Sequence, residues 1–293
     1  MKNLFLKRIK NSIRSKMLAS FLISSFIIFV VVLSIVALRT NRIVKDDAEN
    51  ITDNYAREFA ALSANNLNEY MDAVRLLSQV FEDFESIKEN NRREYFNSQL
   101  TNLLERNENF LSLWTIWEPY TIDNRDRSFI NKAGSTLIGN YSPTFFKMNG
   151  KIHLEENNTD TITTPLFSSE YYTLPKERRE ETILNPYYYA YSGLKKDEIY
   201  QTNLIAPIIV NEQFMGVIGV DVPLSTLQSM VDTIQPFKKS YAMLVTNDGI
   251  LVTHPDTKLA GTNANDLFPD IDVNPNIANG DDFSFTFEKI SLE

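Results

Sequence analysis

The chain has 293 residues, 43% hydrophobic and 23% charged, with 29 basic and 38 acidic side chains, two histidines and no cysteine. Without thiols it has no disulfide, no zinc–thiolate or iron–sulfur site and no cysteine nucleophile, so its folded part must be held by its own core. The acidic balance, with no basic stripe, argues against nucleic acid as a partner.

Residues 1–16 carry Lys2, Lys7, Arg8, Lys10, Arg14 and Lys16 and no acidic residue. Residues 17–38, MLASFLISSFIIFVVVLSIVAL, then run about 22 positions without a charge. A helix of that length covers the ~30 Å hydrocarbon core of a bilayer. Four serines interrupt it, and their hydroxyls can bond back within the helix. The basic flank keeps the N-terminus in the cytoplasm and sends everything after Arg39 across the membrane. A cleaved signal peptide is the competing reading, but its apolar region is usually only ~7–15 residues. Moreover, Ala37-Leu38-Arg39 is a poor cut site. The 23 basic residues beyond residue 16 face 38 acidic ones, a net charge of −15 outside the membrane.

From Asn41 to Lys88 apolar residues recur at steps of three and four, with no proline or glycine. The pattern predicts one helix of about 70 Å, too long for one small core to cover. Its lower part is expected to pack on a second copy or a neighbouring helix as a stalk. Two shorter helices with a bend at Asn65-Asn66 are the alternative. A second helix is expected over Arg92–Arg106. The character then turns to β, starting with Phe110–Trp117 and ending at Glu118-Pro119. Residues 119–200 hold nine of the 13 tyrosines and five of the 11 prolines. Strands follow over Ile199–Val210 and Phe214–Val222, joined by Asn211-Glu212-Gln213. Pro223 then opens a short amphipathic helix, Leu224–Val231. Near Gln235-Pro236 a second unit starts, with a glycine-turn hairpin over Tyr241–Thr253.

The expected divisions are a cytoplasmic segment (1–16), a membrane span (17–38), a stalk helix (39–90), a larger α/β (α+β) unit (91–235) and a smaller, unfinished one (236–293). The chain reads as a piece of a longer protein, and Leu292-Glu293 also reads as a cloning remnant. His153 and His254 lie about a hundred residues apart. They give little support to a hydrolase triad or a histidine metal site. No GxSxG, P-loop or Rossmann fingerprint occurs, so neither an enzyme nor a cofactor is expected.

The segment Phe214-Met215-Gly216-Val217-Ile218-Gly219-Val220-Asp221-Val222-Pro223-Leu224 closes the larger unit. Val245-Thr246-Asn247-Asp248-Gly249-Ile250-Leu251-Val252-Thr253-His254-Pro255 opens the smaller one. With the anchor and long helix in front, this order resembles the double Cache sensor domains of bacterial chemoreceptors and related receptors, over about residues 40–285. The resemblance implies two PAS-like modules with antiparallel sheets on the long helix, the membrane-distal one binding a small solute. It also implies a homodimer and signalling to cytoplasmic proteins through a region beyond residue 293. The output of a chemoreceptor leads. A histidine kinase, a diguanylate cyclase, a phosphatase, or a module that binds amino acids or docks a partner protein are the alternatives.

Amino-acid-binding members of that family carry an arginine two positions before a Trp-Tyr pair, a later Pro-Tyr and a strand-end aspartate. Here Tyr171-Tyr172 stands at the pair and Ser169 at the arginine, while Pro186-Tyr187 and Asp221 match. The anion clamp is missing and the cation partner remains. Trp114, Trp117, Glu118, Pro119, Asp123 and Asp126 form WxxWEPxxxDxxD, a pattern resembling members associated with amines and quaternary ammonium compounds. Aromatic faces plus a carboxylate suit a desolvated cation, each ring contributing ~0.5–2 kcal/mol. The expected ligand-binding set is therefore Trp117, Glu118, Asp123, Tyr171, Tyr172, Tyr187 and Asp221, with a cationic amine favoured.

Each residue also has a structural reading. Trp114 and Trp117 point to opposite faces of a regular strand, so at most one reaches a pocket. Asp123 and Asp126 also suit turn capping or a calcium ion, although the EF-hand spacing is absent. Asp221 also suits acceptance of hydrogen bonds from the N–H groups of the following helix. Replacing Asp221 by Ala is expected to abolish ligand response without unfolding.

Overall fold

In the computed structural model, residues 13–155, 166–267 and 272–280 are described. Helix α1, Ile13–Glu82, is unbroken, so no bend falls at Asn65-Asn66. Its apolar stretch is long and apolar enough to cross a membrane, and residues 17–38 are exposed throughout. Ser24 donates its hydroxyl to the Phe21 carbonyl at 2.9 Å and Ser34 to Val30 at 2.8 Å, which satisfies these polar groups inside the apolar run.

Among the described residues, those up to Tyr55 form one compact unit and those from Ala56 onward another. The division thus falls inside α1, and the second unit takes in both the 91–235 and the 236–280 regions.

In the second unit α1 buries Tyr70, Val74, Leu77 and Phe81, a stripe of steps four, three and four. The helix gives way to 3-10 turns at Phe84–Ser86 and Glu89–Asn91 before α2, Arg92–Arg106. Helix α2 buries Phe96, Leu100 and Leu104 beside that stripe. The sheet consists of β1 (Ser112–Trp117), β2 (Thr144–Met148), β3 (Lys151–Leu154), β4 (Thr182–Ile183), β5 (Tyr187–Tyr189), β6 (Ile199–Val210) and β7 (Gln213–Pro223). Its order is β3-β2-β1-β7-β6-β4, all antiparallel, with β5 also pairing β6. Helix α3, Glu170–Arg178, packs on β6 and β7, and α4, Leu224–Val231, follows Pro223 as the sequence predicts.

Strands β6 and β7 meet in a two-residue turn, Asn211-Glu212, with φ of 50° and 65°. Such a left-handed pair matches the twist of a hairpin. Period-two alternation then sorts the central strands by face. Leu113 and Trp117 of β1, Leu204 and Ile208 of β6, and Ile218, Val220 and Val222 of β7 join the α1–α2 core. Trp114 and Ile116, with Ile205 and Val217, lie in a second cluster under α3.

The region after Gln235 is less regular than expected. The glycine-turn reversal over Tyr241–Thr253 does form, with Gly249 N donating to Thr246 O at 2.9 Å, Thr246 N to Ile250 O at 2.9 Å and Val252 N to Leu244 O at 2.8 Å. Its pairing is limited to single bridges, Val245 with Leu251 and Ile250 with Asn263, rather than extended strands. A small core of Leu251, Ala264 and Val273 holds this segment, with α5 at Asn274–Asn279.

Candidate ligand-binding site

Asp221 is 3% exposed near the end of β7, opposite Ser112 of β1 and Asn203 of β6 in register. All three side chains therefore share one face, and Trp114 stands two positions along β1 on the same side. Four donors converge on the carboxylate. Ser112 Oγ and Tyr191 Oη donate to Oδ2, while Trp114 Nε1, at 2.9 Å, and Asn203 Nδ2 donate to Oδ1. None is a backbone N–H of α4. These bonds pull the Asp221 pKa down, but burial is the larger effect and leaves it above the ordinary value. The same burial, with Asp221 beside them, raises the phenol pKa of Tyr191 and of Tyr187.

Around Asp221 lies a cavity of about 110 Å³. Trp114, Tyr171, Tyr187, Tyr189 and Tyr191 supply rings, and Ser135, Thr136, Ser142 and Thr144 supply hydroxyls. Glu155 adds a second carboxylate, which accepts a bond from Tyr189 Oη at 2.7 Å. No lysine, arginine or histidine lines the cavity among the described residues. The rings brace one another edge to face. Trp114 and Tyr171 lie 5.7 Å apart at 71°, and Tyr189 and Tyr191 4.8 Å apart at 72°. Gly219 is what lets the indole lie against the sheet. A Cβ there would come within 2.2 Å of the Trp114 ring.

Of the seven residues singled out from the sequence, Tyr171, Tyr187 and Asp221 line this cavity and the other four lie elsewhere. Trp117 is fully buried on the opposite face of β1, 5.7 Å from Phe96 and 5.3 Å from Phe84, because it is three positions from Trp114. Glu118 has left the strand and pairs with Lys176 and with Tyr172 Oη, at 2.6 Å for the latter. Tyr172 of α3 is buried in a cluster of apolar side chains, and burial together with Glu118 raises its pKa.

Asp123 sits with Asp126 against Arg93 of α2. Arg93 Nε donates to Asp123 at 2.7 Å and Nη2 to Asp126 at 2.7 Å. Each aspartate also caps its turn, Asp123 accepting from Arg125 N and Asp126 from Tyr120 N. Among the described residues no cluster of metal-ligating side chains forms.

Ser112, Asn203, Trp114 and Tyr191 were not singled out as ligand contacts. Cross-strand register around Asp221 is the signal that finds the first three, since an inward Asp221 carries its partners inward. The expectation for Asp221→Ala also changes. Removing this acceptor strands four buried donors, so the substitution destabilises the fold as well as altering the cavity.

Comparison with known proteins agrees with this fold. The Cache domain family model matches residues 40–291. Methyl-accepting chemotaxis protein TlpQ of Pseudomonas aeruginosa is 26% identical over 147 residues, covering 47% of this chain but only 20% of that receptor. The extracellular domain of mmHK1S-Z2, a protein assigned as a histidine kinase, is 28% identical with a TM-score of 0.63, over 77% of this chain and 78% of its own. Methyl-accepting chemotaxis protein X shares the fold at 22% identity, with a TM-score of 0.64 over 83% and 85% of the two chains. The family model spans most of the sequence, and the chain belongs to the Cache domain family.

Proposed function

We propose that this chain is the extracytoplasmic small-molecule sensor of a transmembrane chemoreceptor, with a cationic amine or quaternary ammonium compound as its ligand. Residues 17–38 anchor it in the cytoplasmic membrane, with residues after 39 outside. Two copies pair along the long helix. Occupancy of the cavity shifts that helix relative to its partner and so reaches a cytoplasmic signalling region.

The observation that carries the ligand class is the lining of five aromatic rings, Asp221 and Glu155, without a basic side chain among the described residues. An anion or a zwitterion's carboxylate finds no charged partner there. A cation finds ring faces and negative charge. The acceptor positions of Asp221 are already taken by Ser112, Tyr191, Trp114 and Asn203. Asp221 therefore acts as a fixed charge behind the rings, and Glu155, bonded to Tyr189, adds a second carboxylate at the wall.

A thermal-shift screen of residues 40–293 tests this with choline, tetramethylammonium and putrescine against alanine, glutamate and acetate. A ligand at a hundred times its dissociation constant stabilises by about 2.7 kcal/mol, several degrees for a domain of this size. Stabilisation by the cations alone supports the reading. Stabilisation by acetate or glutamate alone removes it. A histidine-kinase output is the second reading of the same sensor, favoured by the likeness to mmHK1S-Z2 at 28% identity. Chemotaxis assays with the full-length receptor separate the two outputs.

A further inference from the structure

The segment joining β1 to β2, residues 118–143, carries part of the cavity wall and has almost no regular structure of its own. Only one 3-10 turn, Asp126–Phe129, lies in it. Five of its residues have positive φ: Tyr120 at 62°, Asn124 at 50°, Asn131 at 59°, Gly134 at 73° and Gly139 at 91°. Glycine and asparagine adopt this region readily, so the strained residue among the five is Tyr120, which tertiary contacts must hold. At Gly139 the constraint is also steric, since a Cβ would fall 1.9 Å from the Asp126 carbonyl oxygen.

The contacts that hold this segment converge on Arg93, which is 7% exposed on α2 and does not line the cavity. All five guanidinium N–H groups are used. Nε and Nη2 bind the two oxygens of Asp123 at 2.7 and 3.0 Å, and Nη2 also binds Asp126 at 2.7 Å. Nη1 donates to Ser135 Oγ at 3.1 Å and to the Gly139 carbonyl at 3.0 Å. The guanidinium lies 3.8 Å from the centre of the Phe129 ring. Ser135 is thus held by Arg93 and is also a cavity residue, next to Thr136. The Thr136 backbone is tied in turn to Asn140, and Ser135 bridges Tyr141.

We propose that Arg93 is a positioning residue for the ligand cavity. From α2, outside the site, its fork fixes the Ser135–Thr136 hydroxyl wall at the distance a small ligand requires, and ligand affinity depends on it. A lysine cannot replace it, because one ammonium supplies three donors from a single point and cannot span Asp123, Asp126, Ser135 and Gly139 together. The affinity part of the proposal rests on the cavity being the ligand site. The positioning part does not.

The test combines amide hydrogen exchange with choline titration on the wild type, Arg93→Lys and Phe129→Leu. Phe129→Leu keeps every pair of the guanidinium and removes only the ring beneath it, so it remains informative if Arg93→Lys does not fold. In the ligand-free state we expect faster exchange over residues 131–142 in both variants, larger for Arg93→Lys, with β6 and β7 unchanged. Choline affinity should fall about tenfold in Arg93→Lys and less in Phe129→Leu. Saturating choline should restore protection to the 131–142 loop, which a purely structural clasp would not show. Unchanged loop exchange in both variants overturns the proposal, as does a loosened loop with wild-type choline affinity. If choline fails to bind the wild type, the cavity reading fails for choline, and loop exchange alone decides whether Arg93 positions the wall.

Discussion

The two faces of the central strands carry opposite chemistry on one backbone. Toward α1 and α2 the sheet presents Leu113, Trp117, Leu204, Ile208, Val220 and Val222, a dry core of apolar side chains. On the other face the same strands present Ser112, Trp114, Asn203 and Asp221, polar groups bonded to one another around a cavity. Trp114 and Trp117 make the contrast sharpest. Trp117 stacks among phenylalanines and its indole N–H finds no partner, whereas Trp114 donates to a carboxylate and leaves part of its ring facing open space. One face carries stability through burial, and the other gives up close packing to hold a carboxylate-lined cavity of about 110 Å³.

Substitution at the two tryptophans gives the largest effect. Trp117→Ala should destabilise by about 3–5 kcal/mol, the usual range for emptying a large buried ring site. Trp114→Ala should lose less stability and remove ligand binding. Urea denaturation of both variants checks this, and equal losses would break the contrast between the faces.

Next in size is Asp221→Ala. It leaves Ser112, Trp114, Asn203 and Tyr191 without their common acceptor, an effect of about 2–3 kcal/mol. Asp221→Asn, which keeps an acceptor oxygen, should lose less. The pH dependence of that second variant sharpens the point. Burial raises the Asp221 pKa above the ordinary value of 3.8, so folding favours the protonated form. The stability tied to protonation is fully present below the unfolded pKa and is lost as pH rises through the folded one. Wild type should therefore gain on Asp221→Asn as pH falls from 7 toward 4. A flat or opposite trend would contradict burial as the dominant cause.

Gly219→Ala tests the same face by volume. The new Cβ drives into the Trp114 indole, so ligand binding should fall while the α1–α2 core keeps its protection in hydrogen exchange. The smallest effect is expected at Tyr200, which stacks on Tyr188 at 4.7 Å and donates to the Leu251 carbonyl at 3.1 Å. Tyr200→Phe should lose about 1 kcal/mol and loosen the segment around Leu251. Its phenol is pushed up to about 12 by burial, so absorbance titration should lose one late-titrating tyrosine in the variant.

How much of this was legible in the sequence follows from the same two faces. The apolar face was readable, because helix periodicity in α1 and the branched and aromatic runs of β1, β6 and β7 are local signals. The exclusion rule for Trp114 and Trp117 was legible too, since it follows from the strand period alone. Which of the two faces the cavity was not, because that depends on the side of the sheet that α1 and α2 cover. Glu118, Asp123 and Tyr172 lie near the site in sequence and are claimed by Lys176, Arg93 and the α3 cluster, partners 30 or more positions away or on another face. Ser112 and Asn203 become visible only once cross-strand register is known. The reversal expected after Tyr241 is present, but its strands are shorter than the apolar pattern suggests. Alternating apolar residues there reflect a small core around Leu251 rather than an extended ladder.

The most direct test of the central claim is calorimetric titration of choline into wild type and Asp221→Asn at the same pH, each shown folded by circular dichroism. The account predicts binding to wild type and a loss of at least tenfold in the variant, since the fixed charge behind the rings is gone while their positions remain. Equal affinity for the two would show that the negative charge of Asp221 plays no part in recognition.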